Sequence, residues 1–233
     1  MTSIKDLQTR LGVDPDGKVG PATLAAIYKA LGWEATTPSR TIADFIGGFI
    51  DAHEGGLSMD PADNGNWTGG KRNSGTLVGS KFGVTPGAVA VYRDVPASSL
   101  TKADIANLTR DEAVAIGVAN YFKAPGFDKL PMNRVTLSVV DMGWGTGPGQ
   151  AVKLLQRMVG VADDGKLGPA TAAAYAAWLG KVGEEHGARQ WGDVRNAFYR
   201  AINQPRFLKG WINRTSSFLP GTKWWSDWAG FGK

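Results

Sequence analysis

A chain of 233 residues with 42% apolar content suits one sizeable core plus a small accessory module, and a net charge of +5 at a pI near 9.4 favours an anionic partner. Cysteine is absent, which excludes disulfides, thiolate metal sites and cysteine nucleophiles. No run approaches the ~18 apolar residues of a membrane span, no apolar secretory leader follows Met1, and the dispersed Lys and Arg residues form no nucleic-acid stripe or motif. Glycine, at 32 residues, exceeds its usual ~7%, and Ala-rich stretches outnumber β-branched runs, so a mainly α fold with many turns is expected.

The chain opens with one half of an internal repeat. LQTRLGVDPDGKVGPATLAA (Leu7–Ala26) aligns without a gap to LQRMVGVADDGKLGPATAAA (Leu155–Ala174), sharing LQ, GV and DGK-x-GPAT. In the first copy a helix ends at Leu11, where Gly12 suits the cap. Asp16-Gly17 makes a tight turn, and Pro21 stands near the first turn of a second helix, where its missing N–H costs nothing. This pattern resembles the peptidoglycan-binding domain of cell-wall hydrolases, with room in the first copy for about two of that family's three helices. A plain helical hairpin is the competing reading. Residues 33–41, WEATTPSRT, read as a linker, with Thr41 placed to cap the next helix.

Ile42, Phe45, Ile46, Phe49 and Ile50 then recur on one helical face. Gly55 and Gly56 close that helix and leave Glu54 in its last turn. The negative end of the helix dipole disfavours an ionised carboxylate there, and a protonated carboxylic acid is what a general acid requires. His53, beside it, reads as a helix-end histidine. With two His in the chain and no Cys, a zinc site lacks its usual ligands, and no nucleophile elbow is present, so neither a metal nor another cofactor is expected.

The segment EGG-x3-DPAD-x-G-x2-T, followed by KFGVT, resembles the signature of glycoside hydrolase family 108, the N-acetylmuramidases of phages and bacteria. The family's usual form is EGG…DPxDxGGxT running directly into a YGIT-like segment. Here Asn66 replaces the second Gly, and a polar loop, GGKRNSGTLVGS, is inserted after Thr68. Glu54 and Asp63 also keep the Glu-to-Asp spacing of many phage lysozymes. The resemblance implies Glu54 as general acid, Asp63 as the ionised carboxylate that steadies an oxocarbenium or activates water, and Thr68 as the group that orients that water. Because of the insertion, Thr76 and Thr85 compete with Thr68. Asp60 competes with Asp63 and is also a candidate for substrate binding, although Asp60-Pro61 equally reads as a turn starter.

Residues 86–123 read as helices, with Thr109 and Glu112 forming a capping box. Tyr121 is a candidate for the sugar cleft, with core packing as its alternative. LPMNRVTLSVVDMGWGTGPGQAVKLLQ resembles the family's next block, in which Trp144 stands where Asn is usual. Asp141 there is either a second carboxylate near the substrate or a structural hydrogen-bonding group. FLKGWINRT (Phe207–Thr215) matches the family's C-terminal helix, with Trp211 expected buried and Arg214 ion-paired. The tail carries Trp224, Trp225, Trp228 and Phe231 and reads as a strap over the core or as an interfacial segment.

The resemblance implies a lysozyme-like helical catalytic domain with a small helical peptidoglycan-binding-like module. The expected parts are 1–35, 41–143, 144–222 with the second repeat, and the tail 223–233. The implied activity is that of an endolysin cleaving the β-1,4 bond between N-acetylmuramic acid and N-acetylglucosamine. A lytic transglycosylase and a non-catalytic wall-binding protein are the alternatives. Expected partners are bacterial peptidoglycan and an anionic envelope surface, not nucleic acid. The expected state is a monomer made in the host cytoplasm and released to the wall through a holin.

Overall fold

The computed structural model describes residues 3–32, 40–52 and 56–232. The mainly α expectation holds. Among the described residues β structure is limited to isolated antiparallel bridges, Ser58–Ser80, Trp67–Leu77 and Lys81–Val84. The chain forms two compact units, Met1–Ser39 and Arg40–Lys233.

The first unit is a hairpin of α1 (Ile4–Arg10) and α2 (Pro21–Ala30). Ser3 and Asp6 cap α1 reciprocally. Gln8, buried between the helices, holds the turn: its Nε2 donates to Asp16 Oδ1 (2.7 Å), Lys18 O (2.9 Å) and Thr23 Oγ1 (2.9 Å), and its Oε1 accepts from Gly17 N–H (2.8 Å). Gly17 has a φ of +80°, which explains the glycine in DGK.

In the second unit α3 (Ile42–Ala52) begins at a Thr41–Asp44 capping pair and buries Phe45, Ile46 and Ile50, as its periodicity predicts. A long loop leads to α4 (Pro86–Arg93), α5 (Lys102–Ala106) and α6 (Arg110–Gly117), which runs into one π-helical turn, Val118–Lys123. Thr109 does cap α6, but the expected box is half formed, because the Glu112 carboxylate turns away to pair with Arg93 at 2.7 Å. The central helix is α7 (Arg134–Thr146), buried without a break from Val135 to Gly143. Around it lie α8 (Pro148–Val159), α9 (Pro169–Val182), α10 (Glu184–Ala201), α11 (Pro205–Ser217) and α12 (Lys223–Asp227).

The second repeat copy is therefore part of the core of this unit: Leu155, Leu167 and Tyr175 sit in one apolar cluster with Phe45 and Val139. At the centre, Asp141 on α7 has a fully buried carboxylate bound by Arg195 (2.6 Å) and Arg214 (2.7 Å). Arg214 is thus ion-paired as expected. Trp211 corrects the expectation, being half-buried and stacked on Tyr199 at 5.2 Å instead of fully enclosed. The Trp-rich tail is a strap: Trp225 and Trp228 are buried, Trp228 packs edge-on against Phe45 at 5.3 Å, and the Arg134 guanidinium lies 3.8 Å over Trp225.

Candidate active site

Glu54, with His53 and Gly55, lies outside the described residues, so the site is built from its flanks. On one side, the last described turn of α3 is clamped to α6. Arg110 donates Nε to Asp51 Oδ1 (2.6 Å) and Nη2 to Asp51 Oδ2 (2.7 Å), a bidentate pair that holds the Asp51 carboxyl below its ordinary range. The clamp needs Gly47, since a Cβ there would stand 2.7 Å from Arg110 Nη2.

On the other side, the DPAD loop is wound on its own polar groups. Asp60 Oδ1 accepts from Ala62 N–H (2.8 Å), the turn-starter geometry, while Asp63 caps the short 3-10 turn Asn64–Asn66 by accepting from Gly65 N–H (2.8 Å). Both carboxylates are exposed. Asn66 is fully buried and ties the loop together. Its Nδ2 donates to Asp60 O (2.9 Å) and Ser58 Oγ (3.2 Å), and its backbone carbonyl accepts from Val78 and Gly79 N–H (3.0 Å each). The side chain that replaces the family's usual glycine thus ties Ser58 to Asp60, while the inserted loop is held by the backbone carbonyl, which a glycine would also offer.

The three candidate threonines occupy different places. Thr68 is buried and paired with Thr76: Thr68 N–H donates to Thr76 O (3.0 Å) and Thr76 N–H to Thr68 Oγ1 (2.9 Å). These contacts close the base of the insertion. Thr85 caps α4 and packs on the Asp63 turn, where a Cβ on Gly65 would meet Thr85 Cγ2 at 3.0 Å and Asp63 Oδ1 at 3.2 Å.

Next to Thr85 an aromatic wall begins. Phe82 and Gly83 have φ of 57° and 68°, two consecutive left-handed residues in the turn closed by the Lys81–Val84 bridge. A bulky residue in that region is strained, a feature that clusters at ligand sites. Gly83 faces the Trp144 indole, with 3.7 Å from a built Cβ, and Trp144 lies over Tyr121 with ring centroids 4.6 Å apart. Tyr121 comes from the π-helical turn, a distortion frequent at functional sites, and burial raises its phenol pKa. Asp63 and Thr85 thus meet at Gly65, Trp144 meets Tyr121 and lies beside Gly83, two residues before Thr85 in the chain, and Asp141 stands apart in the buried ion-pair centre. Sequence alone does not single out Phe82, because KFGVT carries no periodicity that reveals a left-handed phenylalanine. Among the described residues no group of three His, Cys, Asp or Glu is placed to hold a metal ion, and no helix is long and apolar enough to cross a membrane.

Residues 48–147 match the family model of glycosyl hydrolase 108, and residues 150–216 match that of a predicted peptidoglycan domain. The seam between the matches falls at the Gly147 junction of α7 and α8. Among solved structures, that of Brucella abortus SagA is 26% identical, with a TM-score of 0.59, over 82% of this chain and 95% of that one. No curated protein matches the chain.

Proposed function

The chain belongs, through residues 48–147, to glycosyl hydrolase family 108 and carries a peptidoglycan domain at 150–216, and from that premise we propose that it is a lysin cleaving the β-1,4 bond between N-acetylmuramic acid and N-acetylglucosamine. The observation that carries this reading is the exposed Asp63 carboxylate, fixed on a self-tied loop at the start of an aromatic wall. Glu54, two residues beyond the clamped helix end, protonates the leaving glycosidic oxygen. Asp63 steadies the developing oxocarbenium or takes the proton of the attacking water. Thr85, packed beside Asp63, is the threonine we assign to orient that water, while the Thr68–Thr76 pair holds the loop. Tyr121 and Trp144 supply apolar ring faces for the sugars.

The test is clearing of bacterial walls followed by mass spectrometry of the digest. Wild type clears walls and releases fragments with reducing ends, one water heavier than the bond cleaved. Glu54→Gln lowers the rate by roughly 10²–10⁴, the usual value of a positioned general acid. Anhydro-muramyl ends would replace hydrolysis by transglycosylation. Free amino groups, or a Glu54→Gln protein that still clears walls, would sink the assignment.

A further inference from the structure

The insertion after Thr68 closes on its own backbone. Gly69 N–H donates to Ser74 O (3.0 Å), Ser74 N–H to Lys71 O (3.0 Å) and Gly70 N–H to Trp67 O (2.9 Å). Gly70, Asn73 and Gly75 have φ of +69°, +61° and +74°, left-handed positions that glycine and asparagine occupy most readily. A Cβ on Gly75 would stand 2.2 Å from Thr68 Oγ1, so the closure leaves no room for a larger residue there. The tip of this loop is fixed next to Asp63. Arg72 N–H donates to Oδ1 of Asn64 (2.9 Å), the residue that follows Asp63.

What the tip presents is charge. Lys71 and Arg72 are both exposed, and neither side chain has an ion pair or hydrogen-bond partner among the described residues. The DPAD loop beside them carries two exposed carboxylates, Asp60 and Asp63. An anionic substrate brought to Asp63 meets repulsion from both unless opposite charge stands close by. Trp67, at the root of the insertion, is half-buried, and its indole N–H donates to Pro61 O (3.0 Å), which fixes its ring on the same loop. A neutral sugar polymer uses such a ring but gains nothing from two unpaired cations. A glycan whose sugars bear acidic side chains uses both.

We propose that Lys71 and Arg72 bind the carboxylates of the peptide stem of peptidoglycan, so that the insertion selects stem-bearing glycan for the Asp63 site. The stem hangs from the muramic acid, a sugar of the bond to be cut, so its carboxylates arrive beside Asp63 together with the glycan. The inference deepens the reading of the chain as a muramidase and rests on it. Lys71 and Arg72 set specificity and take no part in proton transfer.

The test measures binding of N-acetylglucosaminyl-N-acetylmuramyl tripeptide to the full chain by calorimetry or NMR. This probe lacks the bond that a muramidase cuts, so wild-type protein serves. A second probe has the same stem with its carboxylates converted to amides. Wild type should bind the acid about tenfold more tightly than the amide, and the preference should shrink in high salt. Lys71→Ala/Arg72→Ala should bind both probes alike, at the strength of the amide on wild type. Lys71→Arg/Arg72→Lys should keep the preference. Equal affinity of wild type for the two probes, no binding of the acid, or an unchanged preference in Lys71→Ala/Arg72→Ala would each overturn the proposal. Failure of wall clearing is a separate result, because these affinities do not depend on Glu54 acting as an acid.

Discussion

The two copies of the repeat share a hydrogen-bond network nearly atom for atom, yet one copy stands in a small hairpin and the other in the core of the larger unit. Gln156 donates to Asp164 Oδ1 (2.8 Å), Lys166 O (3.0 Å) and Thr171 Oγ1 (3.1 Å) and accepts from Gly165 N–H (2.9 Å), the same four contacts that Gln8 makes. The apolar positions behave oppositely. Leu7 is 40% exposed and Val19 51%, whereas their counterparts Leu155 and Leu167 are 0% and 6% exposed. The motif residues therefore specify the turn and its hairpin geometry wherever they stand. What the hairpin gains from burial depends on the helices around it, here α7 and α10 against α8 and α9.

This contrast is sharpest at the apolar pair. Leu155→Ala removes a side chain with no exposed surface and should cost about 2–5 kcal/mol of the stability of the 40–233 unit, read from urea unfolding. Leu7→Ala should change the stability of the whole chain by less than about 0.5 kcal/mol. A comparable loss at the two positions would mean that Leu7 is covered in solution, and the distinction between an exposed and an embedded copy would collapse.

A second pair of variants separates the network from the packing. Gln156→Ala strands the Gly165 N–H and the Thr171 hydroxyl inside the larger unit and should cost about 2–3 kcal/mol there. Gln8→Ala removes the same contacts from the hairpin, so the thermal transition of the larger unit should not move. Its effect belongs to the amides of Gly17 and Lys18, whose hydrogen exchange should become faster. A shift of the main transition by Gln8→Ala would show that the units unfold together.

Much of this architecture is legible from periodicity and capping chemistry. The face of α3, the Thr41 cap and the DG turn follow from local rules, whereas the paired state of Arg214 is implied by the family pattern, its partner Asp141 standing on a distant helix. Glu112 reads as half of a capping box because the sequence does not display Arg93, a partner from another helix that outcompetes the Thr109 N–H. Trp211 reads as an inside residue because tryptophan is usually buried, but the groove between α10 and α11 leaves one face open. At the candidate site, the exposed carboxylates of the DPAD loop are readable from its turn residues. The partition among Thr68, Thr76 and Thr85 is not, because it depends on how an inserted loop closes. Asn66 shows the same limit: its type departs from the family pattern, and only the folded loop reveals the two side-chain hydrogen bonds, to Asp60 O and Ser58 Oγ, that explain it.

The smallest expected difference between the copies lies in acid. Asp16 and Asp164 each have a lowered pKa, first through the backbone N–H of Lys18 or Lys166 and then through the glutamine amide. A depressed folded pKa stabilises the hairpin above the ordinary carboxylate value of 3.8, and that contribution fades as pH falls through the lower folded value. Both turns should therefore be intact at neutral pH and weaken only below that range. The larger unit keeps its second turn packed after protonation, through Leu167 and Tyr175, while the first hairpin has no comparable burial. An acid titration followed by amide NMR should show the Lys18 resonance losing its folded shift at a higher pH than that of Lys166. Loss of both at one pH would indicate that the carboxylate network, and not the surrounding apolar contacts, holds each turn closed.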